Sequence, residues 1–99
     1  MKNTETLKNN IKMELDAFIG ELKNLTAEEV IERAELLAAM KKAYRYIADH
    51  DMISDSEAEY FLDIKKPLRG IAEYFMDAND NLEGFSRLIW EITDKNLLD

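Results

Sequence analysis

The fold is decided by residues 26–49, which read TAEEVIERAELLAAMKKAYRYIAD. Thr26 and Glu29 form a capping box, in which the hydroxyl accepts a hydrogen bond from the Glu29 N–H and the carboxylate accepts one from the Thr26 N–H. No glycine or proline interrupts the chain from there to Asp49. The stretch therefore predicts one continuous helix from Ala27 to Asp49, about 35 Å long.

This central helix carries two apolar stripes, because residues three or four apart share a helix face. The first stripe consists of Val30, Ala34, Leu37 and Ala38. The second consists of Leu36, Met40, Ala43 and Ile47. A helix with two apolar sides needs neighbours on both, and the second neighbour is either another part of the chain or a second copy of the protein.

The flanking segments have helical patterns of their own. Residues 4–23 place five apolar side chains on one face: Leu7, Ile11, Leu15, Phe18 and Leu22. Ser54 and Glu57 form a second capping box and start a short third helix. Pro67 suits the first position of a fourth helix, since it has no N–H to leave unpaired there.

A polar run at residues 77–81 separates the fourth helix from the fifth. Asp80 is the expected cap of the fifth helix, with Glu83 reciprocating. The expected core side chains of the fourth helix are Leu68, Ile71, Ala72, Phe75 and Met76. Those of the fifth are Leu82, Phe85, Ile89 and Ile92. Together the patterns predict an all-α, compact bundle of about five helices with a long central second helix.

Composition agrees with a single helical domain over residues 1–99. Three glycines and one proline are too few for a fold of many strands and turns, and the absence of cysteine excludes disulfides and thiolate chemistry. No apolar run is long enough for a signal peptide or a membrane span. We therefore expect a cytoplasmic protein without membrane contact.

Acidity is concentrated in the second half of the chain. Residues 1–50 have a net charge of −1 and residues 51–99 a net charge of −7, within a total of −8. A negative field repels phosphate backbones and attracts basic protein surfaces. Direct nucleic-acid binding is therefore not expected, although the stretch from Lys41 to Tyr46 is basic and aromatic. The acidity either serves solubility or favours a basic partner.

Catalytic and metal-binding patterns are incomplete. Asp77, Asn79 and Asn81 have the spacing of the first calcium-loop ligands, but Leu82 and Leu88 stand where such a loop needs glycine and glutamate. The single histidine, His50, lies between two aspartates, and adjacent residues rarely converge on one ion. Helical carboxylate pairs such as Glu28 with Glu32 lack the histidines of dimetal sites. We predict no enzyme activity, no metal and no cofactor.

Two exposed aromatic side chains are candidate contacts for a partner. On a helical wheel, Trp90 lies away from the core stripe and beside Glu83 and Asp94, and Tyr74 lies beside Gly70 and Asp77. A tryptophan in this position either anchors an interface or packs at the edge of the core. The predicted partner-binding residues are Met40, Tyr46, Ile47, Tyr74 and Trp90.

Two segments resemble a family of short proteins of unknown function from Gram-positive gut bacteria and their mobile elements. They read LTAEEVIERA at residues 25–34 and KPLRGIA at residues 66–72. The resemblance implies a small helical fold, no catalytic residues and a mobile-element setting. This chain has Glu35 where the family pattern has an aromatic residue.

Two functions follow as hypotheses. The first is a non-enzymatic protein–protein interaction module, in one form a homodimer, that uses the second stripe of the central helix or the surface around Trp90. The second is an acidic anti-defence protein from a mobile element, a DNA mimic or anti-CRISPR-like inhibitor that blocks a DNA-binding enzyme.

Overall fold

A computed structural model of the chain describes residues 2–78 and 80–98. These residues form helices and no strand, which confirms the all-α class. The helices are α1 (Lys2–Leu22), α2 (Ala27–Glu32), α3 (Ala34–His50), α4 (Asp55–Leu62), α5 (Pro67–Phe75) and α6 (Leu82–Lys95).

The capping boxes predicted at Thr26 and Ser54 are present. The Glu29 N–H donates to Thr26 Oγ1 at 3.2 Å, and the Thr26 N–H donates to Glu29 Oε1 at 3.0 Å. Ser54 and Glu57 repeat this geometry with the same two distances. Pro67 occupies the first turn of α5, as predicted. The local signals therefore identify the starts of α2, α4 and α5 correctly.

The prediction of one continuous helix from Ala27 to Asp49 is wrong at Arg33. The backbone there has φ −100° and ψ 2°, and the Arg33 N–H donates to the Val30 carbonyl instead of the Glu29 carbonyl. The Arg33 side chain takes the vacated place, because its Nη1 donates to the Glu29 carbonyl at 3.4 Å. A side chain inserted into the helical hydrogen-bond ladder is a recognised cause of a kink. The central element is therefore a short α2 followed by the 17-residue α3.

Helix α3 lies at the centre of the bundle. It packs against α1, α5 and α6, while α1 also packs on α4 and α5, and α6 on α4 and α5. The second stripe of the central helix faces this interior: Ala43 is fully buried, and Met40 and Ile47 are 1% and 2% exposed. Helix α2 contributes no buried residue. The core is thus built around α3, and α2 lies at its edge.

Two acidic side chains cap helices that are distant in sequence. Glu14 of α1 accepts the N–H groups of Leu68 and Arg69 at 2.9 and 2.8 Å, in the first turn of α5. Asp55 of α4 accepts the N–H groups of Asn3 and Thr4 at 3.0 and 3.3 Å. The first turn of a helix has unpaired N–H groups, so these contacts hold pairs of helices together while satisfying them. Neither α1 nor α5 shows a local capping signal that the sequence could have revealed.

Burial sets the pKa of the Glu14 carboxyl above its ordinary value. The half-buried position disfavours the ionised form more than the two N–H donors and the nearby Lys66 and Arg69 favour it. The carboxyl therefore binds its proton more tightly in the folded chain than in the unfolded chain.

The start of α6 differs from the prediction by one residue. Asn81 is the N-cap, and its Oδ1 accepts the Gly84 N–H at 2.7 Å. Asp80, the predicted cap, instead accepts hydrogen bonds from Lys42 and from the Tyr46 hydroxyl, the latter at 3.2 Å. Asp80 therefore attaches the turn before α6 to α3. The lysine contact holds the pKa of this carboxyl below its ordinary value.

Two predicted core residues lie at the surface. Met76 is 44% exposed and Leu82 is 42% exposed, because each stands at a helix end, outside the contact between helices. Leu88, which was not predicted, is 9% exposed and belongs to the core. The remaining predicted core residues of α5 and α6 are buried.

Candidate interaction surfaces

Met40 and Ile47 are almost completely buried. Both side chains belong to the buried core, and α1 and α5 pack against the helix that carries them. Of the two neighbours that the sequence allowed for the second stripe, the structure places the chain's own helices there. Neither side chain can therefore be a main contact of a partner while the bundle is intact.

Tyr46 is half-buried in a group of aromatic side chains. Its ring lies 5.1 Å from Phe85 and 5.8 Å from Phe75, both centre to centre, and its hydroxyl donates to Asp80. Burial and the neighbouring carboxylate raise the pKa of the Tyr46 hydroxyl. These contacts give Tyr46 an internal role, which joins α3 to α5 and α6.

Among the described phenylalanine, tyrosine and tryptophan residues, Trp90 is the most exposed, at 57%. It stands between two shallow grooves, which together we call the Trp90 face. One groove is lined by Met52, Leu82, Glu83, Ser86, Arg87 and Trp90. The other is lined by Ser54, Ser56, Glu57, Tyr60, Trp90, Thr93 and Asp94. Leu82, Ser86 and Trp90 are four residues apart, so they form an outward stripe along α6.

The Trp90 face has an acidic border. Glu83, Asp94 and Glu57 are its carboxylates, against the single cation Arg87. The Glu57 side chain already accepts the Ser54 N–H, which leaves Glu83 and Asp94 as the more accessible charges. The face thus combines an exposed aromatic ring with weakly negative surroundings.

Tyr74 does not line either groove of the Trp90 face. It is 40% exposed on α5. The structure therefore does not bring the five predicted residues together: two are in the core, one is half-buried, and Tyr74 is absent from both grooves beside Trp90.

A third groove, which sequence reasoning missed, lies between α1 and the start of α5. Its α1 side is formed by Asn10, Met13, Glu14, Ala17, Phe18 and Glu21, and Met40 contributes to its lining. Its other side carries three cations: Lys65, Lys66 and Arg69. We call this the cationic groove. The sequence shows that three of the five basic residues in its second half lie at positions 65–69, but it does not show that α1 lies beside them.

The groups considered for metal binding are separated or already occupied. Asp51, beside His50, pairs with Lys8 at 2.6 Å, which holds the pKa of the Asp51 carboxyl below its ordinary value. Asn81 of the calcium-like pattern caps α6, and Asn79 lies outside the described residues. Within residues 2–78 and 80–98, no group of three or more potential ligands could hold a metal ion.

Over the described parts of the chain, no helix is both long enough and apolar enough to cross a bilayer.

Comparison with known proteins found no relative. No family model, no curated protein and no solved structure matches the chain. The resemblance to the gut-bacterial family and the mobile-element setting therefore stay predictions.

Proposed function

We propose that the chain is a non-enzymatic protein-binding module whose contact surface is the Trp90 face. The observation that carries this proposal is the 57% exposure of Trp90 between two grooves. Tryptophan is among the residues that most often dominate the binding energy of protein interfaces.

The position of Trp90 on α6 supports a role outside the core. Four α6 side chains, Phe85, Leu88, Ile89 and Ile92, already fill the inward face of the helix. Trp90 is on the other side, with Leu82 two turns before it, so these side chains extend the apolar surface outward. A partner that covers this stripe would bury apolar area without disturbing the bundle.

The charge around Trp90 favours a partner with an apolar side chain flanked by basic residues. Glu83 and Asp94 lie on opposite sides of the ring and face solvent. Such rim charges raise association rates more than affinity, whereas burial of the ring supplies most of the binding energy. A second copy of the chain is the homodimeric form of the same proposal.

The test compares three immobilised full-length baits in a lysate of the source organism: wild type, Trp90→Ala and Ile31→Ala. Ile31 is the matched control, because it is 73% exposed on α2 and lines neither groove of the Trp90 face. We expect proteins that bind to the wild type and Ile31→Ala but not to Trp90→Ala. Equal retention by all three baits, or no Trp90-dependent protein, would contradict the proposal.

Light scattering of the purified chain separates the homodimer from a different partner. A dimer at high micromolar concentration that Trp90→Ala converts to a monomer supports self-association through this face. A monomeric wild type directs the proposal to a different partner.

The acidic anti-defence function is the second candidate, and the net charge of −7 in residues 51–99 supports it. Several of these acids, however, already have internal partners: Asp51 pairs with Lys8, Asp55 caps α1, and Asp80 binds Lys42. A DNA mimic binds through charge, so its affinity should fall steeply with added salt. Binding that depends on Trp90 and changes little with salt would support the first function.

A further inference from the structure

We propose that the cationic groove binds an acidic amphipathic helix of a partner protein. This inference goes beyond the Trp90 face, because it concerns a different surface and a partner of opposite charge.

The groove has an exposed apolar side. Met13 of α1 is 69% exposed, and Ala17 one turn later is also exposed. Phe18 and Met40, both in the core, line the groove beside them. The groove follows α1 from Asn10 to Glu21, a length of about 16 Å or three helical turns. An amphipathic helix that binds in a groove places apolar side chains three or four residues apart along one face, which is also the spacing of Met13 and Ala17 on α1.

The cations along the other side have no close ion-pair partner within the described residues, although Lys66 and Arg69 act on the Glu14 carboxyl from a longer distance. None of Lys65, Lys66 and Arg69 forms a salt bridge with a carboxylate of residues 2–78 or 80–98. The Arg69 guanidinium lies 5.9 Å from the centre of the Phe18 ring, where it is attracted to the ring face. Lys65 and Lys66 are thus exposed and Arg69 is half-buried beside the apolar strip, in a protein whose net charge is −8.

Glu14, one of the two carboxyls that line the groove, already accepts two hydrogen bonds. Both carboxylate oxygens of Glu14 accept N–H groups of α5, so this side chain is held at the helix start. Glu21 is the remaining carboxylate along the groove. With three cations against one accessible carboxylate, charge complementarity selects a ligand with acidic residues beside its apolar face.

The probe is a synthetic 15-residue helical peptide with leucines at i, i+4, i+7 and i+11 and glutamates on its polar face. A second peptide has lysines in place of the glutamates. The full-length chain is labelled with ¹³C in its methionine methyl groups, because Met13 and Met40 report on the cationic groove and Met52 reports on the Trp90 face.

We expect the acidic peptide to shift the Met13 signal and to leave the Met52 signal and Trp90 fluorescence unchanged. It should bind at least about ten-fold more tightly than the basic peptide.

Lys65→Glu/Lys66→Glu should lower the affinity for the acidic peptide about ten-fold or more. Lys12→Glu/Lys41→Glu is the matched control, because it makes the same charge change at two exposed lysines outside the groove. It should change the affinity less than about two-fold. Met13→Ala, which removes apolar area without changing charge, should also weaken binding.

Four results would overturn the proposal. The first two are no shift of the Met13 signal at about 1 mM acidic peptide, and equal affinity of the acidic peptide for the wild type and for Lys65→Glu/Lys66→Glu. The other two are equal affinity of the acidic and basic peptides for the wild type, and a Met13 shift that self-association of the free chain produces without peptide. Circular dichroism melts of each variant establish that the groove is folded. The Trp90 face is tested separately, by the proteins that the wild-type and Trp90→Ala baits retain. Either proposal can therefore fail without the other.

Discussion

Helices α3 and α6 both carry apolar side chains on more than one side, yet the structure uses their second sides differently. The second stripe of α3 is covered, with Met40 and Ile47 almost fully buried. The outward stripe of α6 is open, with Leu82 42% and Trp90 57% exposed. Periodicity identifies an apolar face, but the tertiary arrangement decides whether the chain itself covers that face.

Packing against the rest of the chain explains the difference. Helix α3 is central and contacts α1, α5 and α6, whereas the outward side of α6 borders shallow grooves. An apolar side chain on α3 is therefore expected to stabilise the fold, and one on the outward side of α6 to serve binding. Variants of the two stripes, and of the contacts that keep α3 covered, separate these two roles.

The largest expected effect comes from truncating the covered stripe. Met40→Ala and Ile47→Ala should each lower the free energy of unfolding by about 2–5 kcal/mol, because they leave cavities in a close-packed interior. Trp90→Ala, although it removes a larger side chain, should change it by less than about 1 kcal/mol. Chemical denaturation monitored by circular dichroism measures all three variants.

The order of these effects is the critical result. If Trp90→Ala destabilised the chain as much as Met40→Ala, Trp90 would be a structural residue at the edge of the core and the Trp90 face would lose its main support. A small effect of Met40→Ala would show that α1 and α5 do not cover α3 tightly.

Sequence reasoning succeeded where the signal is local. The capping boxes at Thr26 and Ser54 depend on side chains within four residues, and both are present. It failed at Asp80 because the deciding contacts are distant in sequence: Lys42 and the Tyr46 hydroxyl bind its carboxylate, and Asn81 caps α6 instead. It also failed at Arg33, although that contact is local, because the hydrogen bond from the Arg33 side chain to the Glu29 carbonyl belongs to no capping or periodicity pattern.

The surfaces follow the same rule. The exposure of Trp90 could be predicted from its position on the helical wheel, because the core residues of α6 all belong to one short segment of the chain. The cationic groove could not be predicted in this way, because α1 and residues 65–69 are separated by more than forty positions. The burial of Met40 and Ile47 likewise depends on which helices meet α3, which no pattern within the central helix reveals.

The next effect concerns the cap that attaches α5 to α1. Glu14→Ala removes the acceptor of the Leu68 and Arg69 N–H groups and should cost about 0.5–2 kcal/mol, the range for losing an N-cap. Glu14→Gln should cost less, because its amide oxygen still accepts one hydrogen bond. Equal unfolding free energies for Glu14→Ala and the wild type would show that these hydrogen bonds do not stabilise the packing of α1 and α5 against α3.

A smaller gain is expected from strengthening α1, one of the helices that covers α3. A Cβ at Gly20 would have no atom within 4 Å, and the residue lies inside the helix with ordinary dihedral angles. Gly20→Ala should therefore raise the free energy of unfolding by about 0.5–1 kcal/mol. Gly70→Ala is the contrasting variant, because its Cβ would lie 2.9 Å from the Leu98 side chain, which must move. A larger gain at Gly70 than at Gly20 would contradict this prediction.

The smallest expected effect is a difference in pH dependence between two carboxyls that attach helices to their neighbours, Asp80 and Glu14. The Lys42 contact lowers the pKa of Asp80 in the folded chain, so its stabilising contribution is present above the ordinary value of 3.8 and is lost as pH falls through the folded-state pKa. The melting temperature of the wild type minus that of Asp80→Asn should therefore shrink on acidification below that value. Burial raises the pKa of Glu14, so its contribution is full below the ordinary value of 4.5 and is lost as pH rises through the folded-state pKa. The wild type minus Glu14→Gln difference should accordingly shrink as pH increases towards neutrality. Thermal melts of the three proteins across this range measure both slopes, and slopes of the same sign would show that one of the two carboxyls does not have the surroundings described for it.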